Sequence, residues 1–198
     1  MILEKYSMGI GDRFARQGEA QLEALIKAKN NGINVIPVWN KSHREHTIVK
    51  TQPESVKCEA DAATSSLNWD GSYYVDADHI NMSNVDFFLE SSNFFTLDVA
   101  DFIDKPASKE DIEAFANRFK KYCGTLELPG LEENLLITED ELSRIATKYL
   151  LAIQEAGKIF RHIVSKKGAE NFITEVSMDE TELPQTPIEM LFILAAIA

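Results

Sequence analysis

Apolar runs of strand length alternate with amphipathic helical stretches along most of the chain, and this rhythm is its strongest constraint. Ile2 to Met8 reads as a strand entering the glycine-bearing stretch MGIGDRF, and a helix follows from about Glu19 to Lys29 with Leu22, Leu25 and Ile26 on one face. Ile33 to Trp39 is β-branched and nearly continuous, as befits a strand covered on both faces. Asn40 to Asp70 is polar and mixed, without a clear period. Ser72 to Ala77 reads as a third strand, Val85 to Leu89 as a short helix and Asn93 to Ala100 as a fourth strand. Ser108 and Asp111 open a helix with Ile112, Phe115, Ala116 and Phe119 at helical spacing, and LELPGLEEN breaks the pattern. Thr138 and Glu141 make a capping box for a long helix reaching about Lys166, where Gly168 stops it. NFITEVSMD is a fifth strand, and Pro187 opens a last helix that stays apolar all round.

Strands and helices in this order call for parallel pairing through right-handed crossovers. A doubly wound sheet and a (β/α) barrel both satisfy that rule. The reading adopted is an α/β fold, a partial (β/α)8 TIM-type barrel with about five of the eight units a full barrel needs. Residues 1–198 then form a single α/β domain that is a fragment of a longer barrel. A helix with no polar face exposes an apolar patch, so the last one needs a cover. Self-association through this C-terminal helix, or further chain, supplies it.

Composition narrows the function classes. A 198-residue chain with 44% hydrophobic residues can bury a real core. The longest apolar run, MLFILAAIA, is too short to span a bilayer, and neither end resembles a secretion signal. Two cysteines, Cys58 and Cys123, lack metal-type spacing and fit a reducing compartment. A net charge of −12 without a basic stripe argues against nucleic acid and anionic membrane as partners. The expectation is a cytoplasmic protein acting on a small molecule.

In such folds, chemistry gathers at the carboxyl edges of the strands. The five edges offer Asp12 and Arg13; Lys41, His43, Arg44 and His46; Asp76, Asp78 and His79; Asp98 and Asp101; then Glu175, Asp179 and Glu180. One such edge means little, but five together read as an active-site rim. Alternation places Asp76 and Asp78 on one face with His79 just past the strand end, a base beside a transition-metal ligand. The bland alternative is an Asx turn with Asn84 capping the next helix. His43 and His46, three apart, are surface or substrate-binding polarity unless a third ligand joins them. Arg13 either pairs with Asp12 or grips a substrate carboxylate. MGIGDRF matches neither phosphate-loop nor dinucleotide spacing. His162, late in the long helix, suits the helix dipole. Glu175 sits mid-strand, where an unpaired carboxylate is costly, so a partner is expected. The pairs Tyr73–Tyr74, Phe87–Phe88 and Phe94–Phe95 are core.

Four longer stretches, EKYSMGIGDRF, NKSHREHTIV, YYVDADHINMSNV and ITEVSMDETELPQTPIEMLFILAAIA, resemble the tagaturonate epimerases, from Tyr6 to the last residue. The resemblance implies a (β/α)-barrel enzyme that interconverts tagaturonate and fructuronate with a divalent metal cation. It assigns Asp78 as proton acceptor, His79 as one metal ligand and Glu175 as proton donor, with Asp179 and Glu180 as alternatives. Arg13, Lys41 and His46 are the expected substrate-binding residues, with Arg44 a further choice for the carboxylate. Family members are much longer, and their remaining metal-binding histidines have no counterpart here. Two other outcomes stay open: an aldolase or isomerase on a related ketose acid, and a non-catalytic truncated barrel fragment.

Overall fold

Side-chain periodicity turns the apolar runs into one parallel sheet with two different faces. The computed structural model describes residues 1–178, 181 and 183–198. In chain order its elements are β1 (Ser7–Ile10), α1 (Gly18–Asn30), β2 (Ile36–Ser42), α2 (His43–Val49), α3 (Glu54–Ser66), β3 (Tyr74–Ile80) and β4 (Phe94–Asp98). There follow α4 (Lys109–Phe119), β5 (Gly124–Leu126), β6 (Leu135–Ile137), α5 (Glu139–Lys167), β7 (Ile173–Ser177) and α6 (Pro187–Ile197). Contacts divide the chain into two compact units, Met1–Asp98 with Ile159–Ser177, and Val99–Lys158 with Met178–Ala198.

The first unit carries the whole parallel sheet, in the order β1-β2-β3-β4-β7. Each parallel strand joins on the same side as the one before it in the chain. A doubly wound sheet reverses that direction at a switch point, and this one does not. The fold is mixed α/β with five parallel strands in sequential order. On one sheet face Trp39 and Val75 pack with Leu22 of α1 and Val56, Ala60 and Ala63 of α3. Ile36, Val38, Tyr74 and Phe94 form a separate apolar layer on the other face, with Leu3 and Ile173 against it. Phe95 is fully buried and meets Phe172 edge-on at 5.6 Å, and Phe172 in turn lies 5.7 Å from Phe160.

Several boundaries differ from expectation. The first strand is Ser7–Ile10 rather than Ile2–Met8, and Ile2 is 90% exposed. The second is shifted three residues onward, so Asn40, Lys41 and Ser42 belong to β2. The unassigned polar stretch holds α2 and α3. The expected short helix is a single 3-10 turn, Val85–Phe87, and LELPGLEEN joins β5 to β6 in an antiparallel hairpin. His162 Nε2 lies 2.6 Å from Asp86 Oδ1, a partner the dipole reading did not supply.

In the second unit, Ser108 caps α4 by accepting from the Asp111 amide at 3.1 Å, and Thr138 does the same for Glu141 at the start of α5. Thr186 and Glu189 form a reciprocal capping box on α6. Glu189 is buried and held by Arg144 at 3.0 Å and Lys148 at 3.5 Å, so α6 does own a charged contact. Phe192 packs on Phe119 at 5.3 Å, while Met190, Leu194 and Ile197 remain exposed.

Truncating Phe95 empties the centre of the aromatic row. Phe95→Ala should cost about 3–5 kcal/mol of unfolding free energy. Denaturant unfolding checks this, and a loss under about 1 kcal/mol would contradict the packing described.

Candidate active site at the carboxyl edge of the parallel sheet

Residues paired across parallel strands share a face, so register decides which side chains meet. Asn40 lies opposite Asp76 and Ser42 opposite Asp78, while Thr96 lies opposite Glu175 and Asp98 opposite Ser177. These residues continue the face that begins with Ile36, Val38, Tyr74 and Phe94. One sheet surface thus turns from apolar to polar as its strands approach their carboxyl ends.

Asp76 sits at that transition. It is 6% exposed, and both its carboxylate oxygens lie on the Thr96 hydroxyl, at 3.2 and 3.0 Å. The Thr96 amide donates to the same carboxylate at 3.2 Å. Burial is the main reason its pKa rises from 3.8 to about 7, and the nearby charges of Asp78 and Glu175 add to the rise against the Thr96 bonds. Asp78 and Glu175, expected as proton acceptor and donor, therefore lie within electrostatic reach of one buried acid.

Asp78 and His79 owe their placement to a β-bulge. Ala77 pairs with Phe95 and Ile80 with Leu97, so three steps along β3 match two along β4. The extra residue turns Ile80 onto the helix-covered face, where it is fully buried, and leaves Asp78 and His79 at the edge. His79 has φ of 51°, a left-handed conformation that β-carbon-bearing residues rarely hold. Its Nδ1 lies 2.9 Å from Asp78 Oδ1, with the imidazole 47% exposed. A carboxylate on one ring nitrogen orients the ring.

Glu175 is exposed rather than buried mid-strand, so the burial cost that demanded a partner does not arise. Asp179 and Glu180, its alternatives, lie outside the described residues. Lys41 and His46 do not join the acids. Lys41 pairs with Ala77 on the helix-covered side of β2, is 1% exposed, and donates to Thr51 Oγ1 at 3.1 Å. Burial lowers its pKa against the pull of Glu45, Asp12 and Glu59. His46 is buried on α2 with Nδ1 3.0 Å from the same Thr51 hydroxyl, and burial, then the Lys41 charge, depress its pKa to about 4. It is a neutral imidazole at physiological pH.

Arg13 is half exposed and reaches Glu45 at 3.4 Å, the acid that also closes the Ser42 capping box of α2. Asp12 accepts instead from the backbone amides of Phe14, Arg16 and Gln17 at 3.1, 2.6 and 3.1 Å. Burial raises its pKa, but those amides and Lys41 outweigh it and hold the carboxyl below its usual range. His43 stacks on Phe87 at 5.3 Å beside a cavity of about 250 Å³ that His46, Thr51 and Pro53 also line.

Residues 1–198 match the family described as UxaE, tagaturonate epimerase. The chain belongs to the tagaturonate epimerase family. A curated tagaturonate/fructuronate epimerase of Thermotoga maritima is 27% identical over 200 residues, covering 95% of this chain and 40% of that protein. The native crystal structure of the fructuronate-tagaturonate epimerase UxaE from Cohnella laeviribosi matches 96% of this chain with a TM-score of 0.78 at 19% identity. A two-glycerol complex of that enzyme matches with a TM-score of 0.77 at 18% identity. At such identity the likeness shows the fold. The chain spans 40% of the length of these relatives.

The divalent cation that the family resemblance implies needs several donors in one place. Among the described residues no group of three or more His, Cys, Asp or Glu is arranged to hold a metal. His79 offers one imidazole, and its neighbour Asp78 is already hydrogen-bonded to it. These residues alone do not fit the group.

Asp76 was read among the rim residues by its parity with Asp78 but given no role, and Thr96, an uncharged strand residue, escaped the sequence reading. The raised pKa of Asp76 has a stability consequence. A folded-state value above the unfolded one gives a contribution present below about pH 4 and lost as pH rises through about 7. Asp76→Asn should therefore gain on the wild type across that window, by up to about 1.4 kcal/mol per pH unit. Thermal unfolding at stepped pH tests it, and parallel curves would refute the assignment.

Proposed function

We propose that the protein carrying this chain interconverts D-tagaturonate and D-fructuronate, an isomerase of hexuronate catabolism working in the cytoplasm. The observation that carries the reading is the row of acids on one sheet face, with Asp78 and Glu175 flanking Asp76. Membership of the tagaturonate epimerase family supports the substrate class. Sequential parallel order and the likeness to the Cohnella laeviribosi enzyme support closure into a TIM-type barrel when the remaining strands are present.

Carbon 4 of a keto-hexuronate is not adjacent to the C2 carbonyl, so simple enolisation cannot loosen its hydrogen. Retro-aldol cleavage between C3 and C4 solves this. Asp78, oriented by His79, takes the C4 hydroxyl proton. The oxygen's electron pair forms the C4 aldehyde as the C3–C4 bond breaks, and the bonding pair becomes a C2–C3 enediolate. The aldehyde turns its other face, the bond reforms, and Glu175 assists the return of the proton from Asp78 to the new C4 alkoxide. Arg13 and Arg44 are both exposed cations for the substrate carboxylate. Lys41 and His46 assist from below through Thr51, by holding α2 at the end of β2. A divalent cation, with ligands beyond His79 from outside this chain, would stabilise the enediolate charge, and no step above depends on it.

The same acids and enediolate would suit an aldolase on a related ketose acid, and conversion of tagaturonate to fructuronate without free aldehyde separates the two. Asp78→Asn should lower kcat about 10²–10⁴-fold with a small change in KM, and Glu175→Gln should do likewise. Unchanged turnover in either variant removes that residue from the mechanism. Chelation of the gene product should abolish epimerisation and divalent cation restore it, while the 198-residue chain alone should bind such ions weakly.

Met190, Leu194 and Ile197 follow each other at helical spacing and support self-association through α6. Leu194→Glu should raise the monomer fraction in sedimentation experiments on the chain, and an unchanged mass distribution would exclude this face.

A further inference from the structure

We propose that Asp76, fixed by Thr96, is a positioning residue that holds a proton behind Asp78 and Glu175 and so keeps this edge fit to receive an anionic substrate. The inference rests on the epimerase reading and goes beyond it, because neither acid–base role involves Asp76.

Geometry carries it. Asp76 is the most buried of the three acids, set one side-chain layer below Asp78 on the same strand. Its two oxygens converge on one hydroxyl and one amide of Thr96, and Thr96 lies in register with Glu175. A carboxyl so placed is nearly shut off from bulk solvent and acts on the substrate through its neighbours.

Among the described residues, its facing neighbours on β2, β3, β4 and β7 offer no positive charge. On its own strand the facing acid is Asp78, and across β4 it is Glu175 of β7. On β2 the facing positions are Asn40 and Ser42, neither of which ionises. On β4 it meets Thr96, with Asp98 further along the same face. Lys41, the one lysine of β2, points to the opposite sheet face. Burial and two like charges therefore favour the neutral acid, and its ionisation midpoint lies near neutrality.

A keto-hexuronate carries its own carboxylate and develops a second negative charge as C3–C4 breaks. With Asp76 protonated, it adds no charge of its own against that anion. With Asp76 ionised, one more negative charge faces the anion, too buried to be screened by salt. Substrate affinity and intermediate stability both fall as that proton leaves.

The test is the pH profile of kcat/KM for the gene product on D-tagaturonate. In the wild type it should fall about tenfold between about pH 6 and pH 8, as a single ionisation near 7 requires. Asp76→Asn, neutral at every pH, should vary less than about twofold over the same range. Thr96→Val removes bonds that favour the charged carboxylate, so its falling limb should move to higher pH. Labelled-aspartate carbon NMR on the same proteins should follow one carboxyl through that midpoint in the wild type and lose it in Asp76→Asn. A flat wild-type profile, a limb that survives Asp76→Asn, or no carboxyl titrating near neutrality overturns the proposal and leaves the epimerase reading standing. Absence of epimerisation at every pH overturns the reading, and the proposal falls with it.

Discussion

In-register parallel pairing of β2, β3, β4 and β7 is the constraint on which the rest depends. A side-chain period of two means that once Val38, Tyr74 and Phe94 share an apolar layer, Asn40, Asp76 and Thr96 must follow on the same face. The core and the acid row are thus consecutive layers of one pattern. A one-residue slip of β3 would bury Asp76 and Asp78 against α1 and α3 and bring Val75 and Ala77 to the open edge. Register is held from both sides, by apolar burial and by the cost of misplacing carboxylates.

Much of this was legible in the residues. The helical faces of α1, α4 and α5, and their caps at Ser108 and Thr138, stood out because amphipathic periodicity and capping are local signals. The end of β2 was not, because Asn40-Lys41-Ser42 has little intrinsic preference for a strand and is extended by pairing with Asp76-Ala77-Asp78. Ser42 with Glu45 three residues later was a readable capping box and would have revealed α2 within the unassigned stretch. The β5–β6 hairpin is short and half polar, below what alternation can signal.

In the site, residue types were legible but depth was not. The stretch DADH announced acids and an imidazole. Only the bulge between Ala77 and Ile80 decides that Asp78 and His79 both reach the edge, and no local propensity announces a bulge. Lys41 and His46 were sensible choices for substrate contact by position. They lie in the layer beneath, where Thr51 joins them and ties the turn after α2 to β2. Glu175 was expected to be buried because strands of a covered parallel sheet usually are, yet its face is the open one.

Two strongly perturbed groups of this unit, His46 and Asp76, shift in opposite senses, and together they shape its response to acid and neutral pH. His46 falls from 6.5 to about 4, so its contribution is complete above 6.5 and is lost as pH drops through about 4. Asp76 rises from 3.8 to about 7, so its contribution fades as pH climbs over nearly the same interval. Between these limits the unfolded chain would keep a proton on His46, whereas the folded protein keeps one on Asp76. The numbers of protons bound in the two states stay nearly equal, and these two groups leave stability almost level with pH. The balance belongs to the pair, since removing either group exposes the slope of the other. A neutral imidazole fastening α2 and a protonated acid under the acidic edge are thus linked through the proton inventory of the fold, on opposite faces of one sheet.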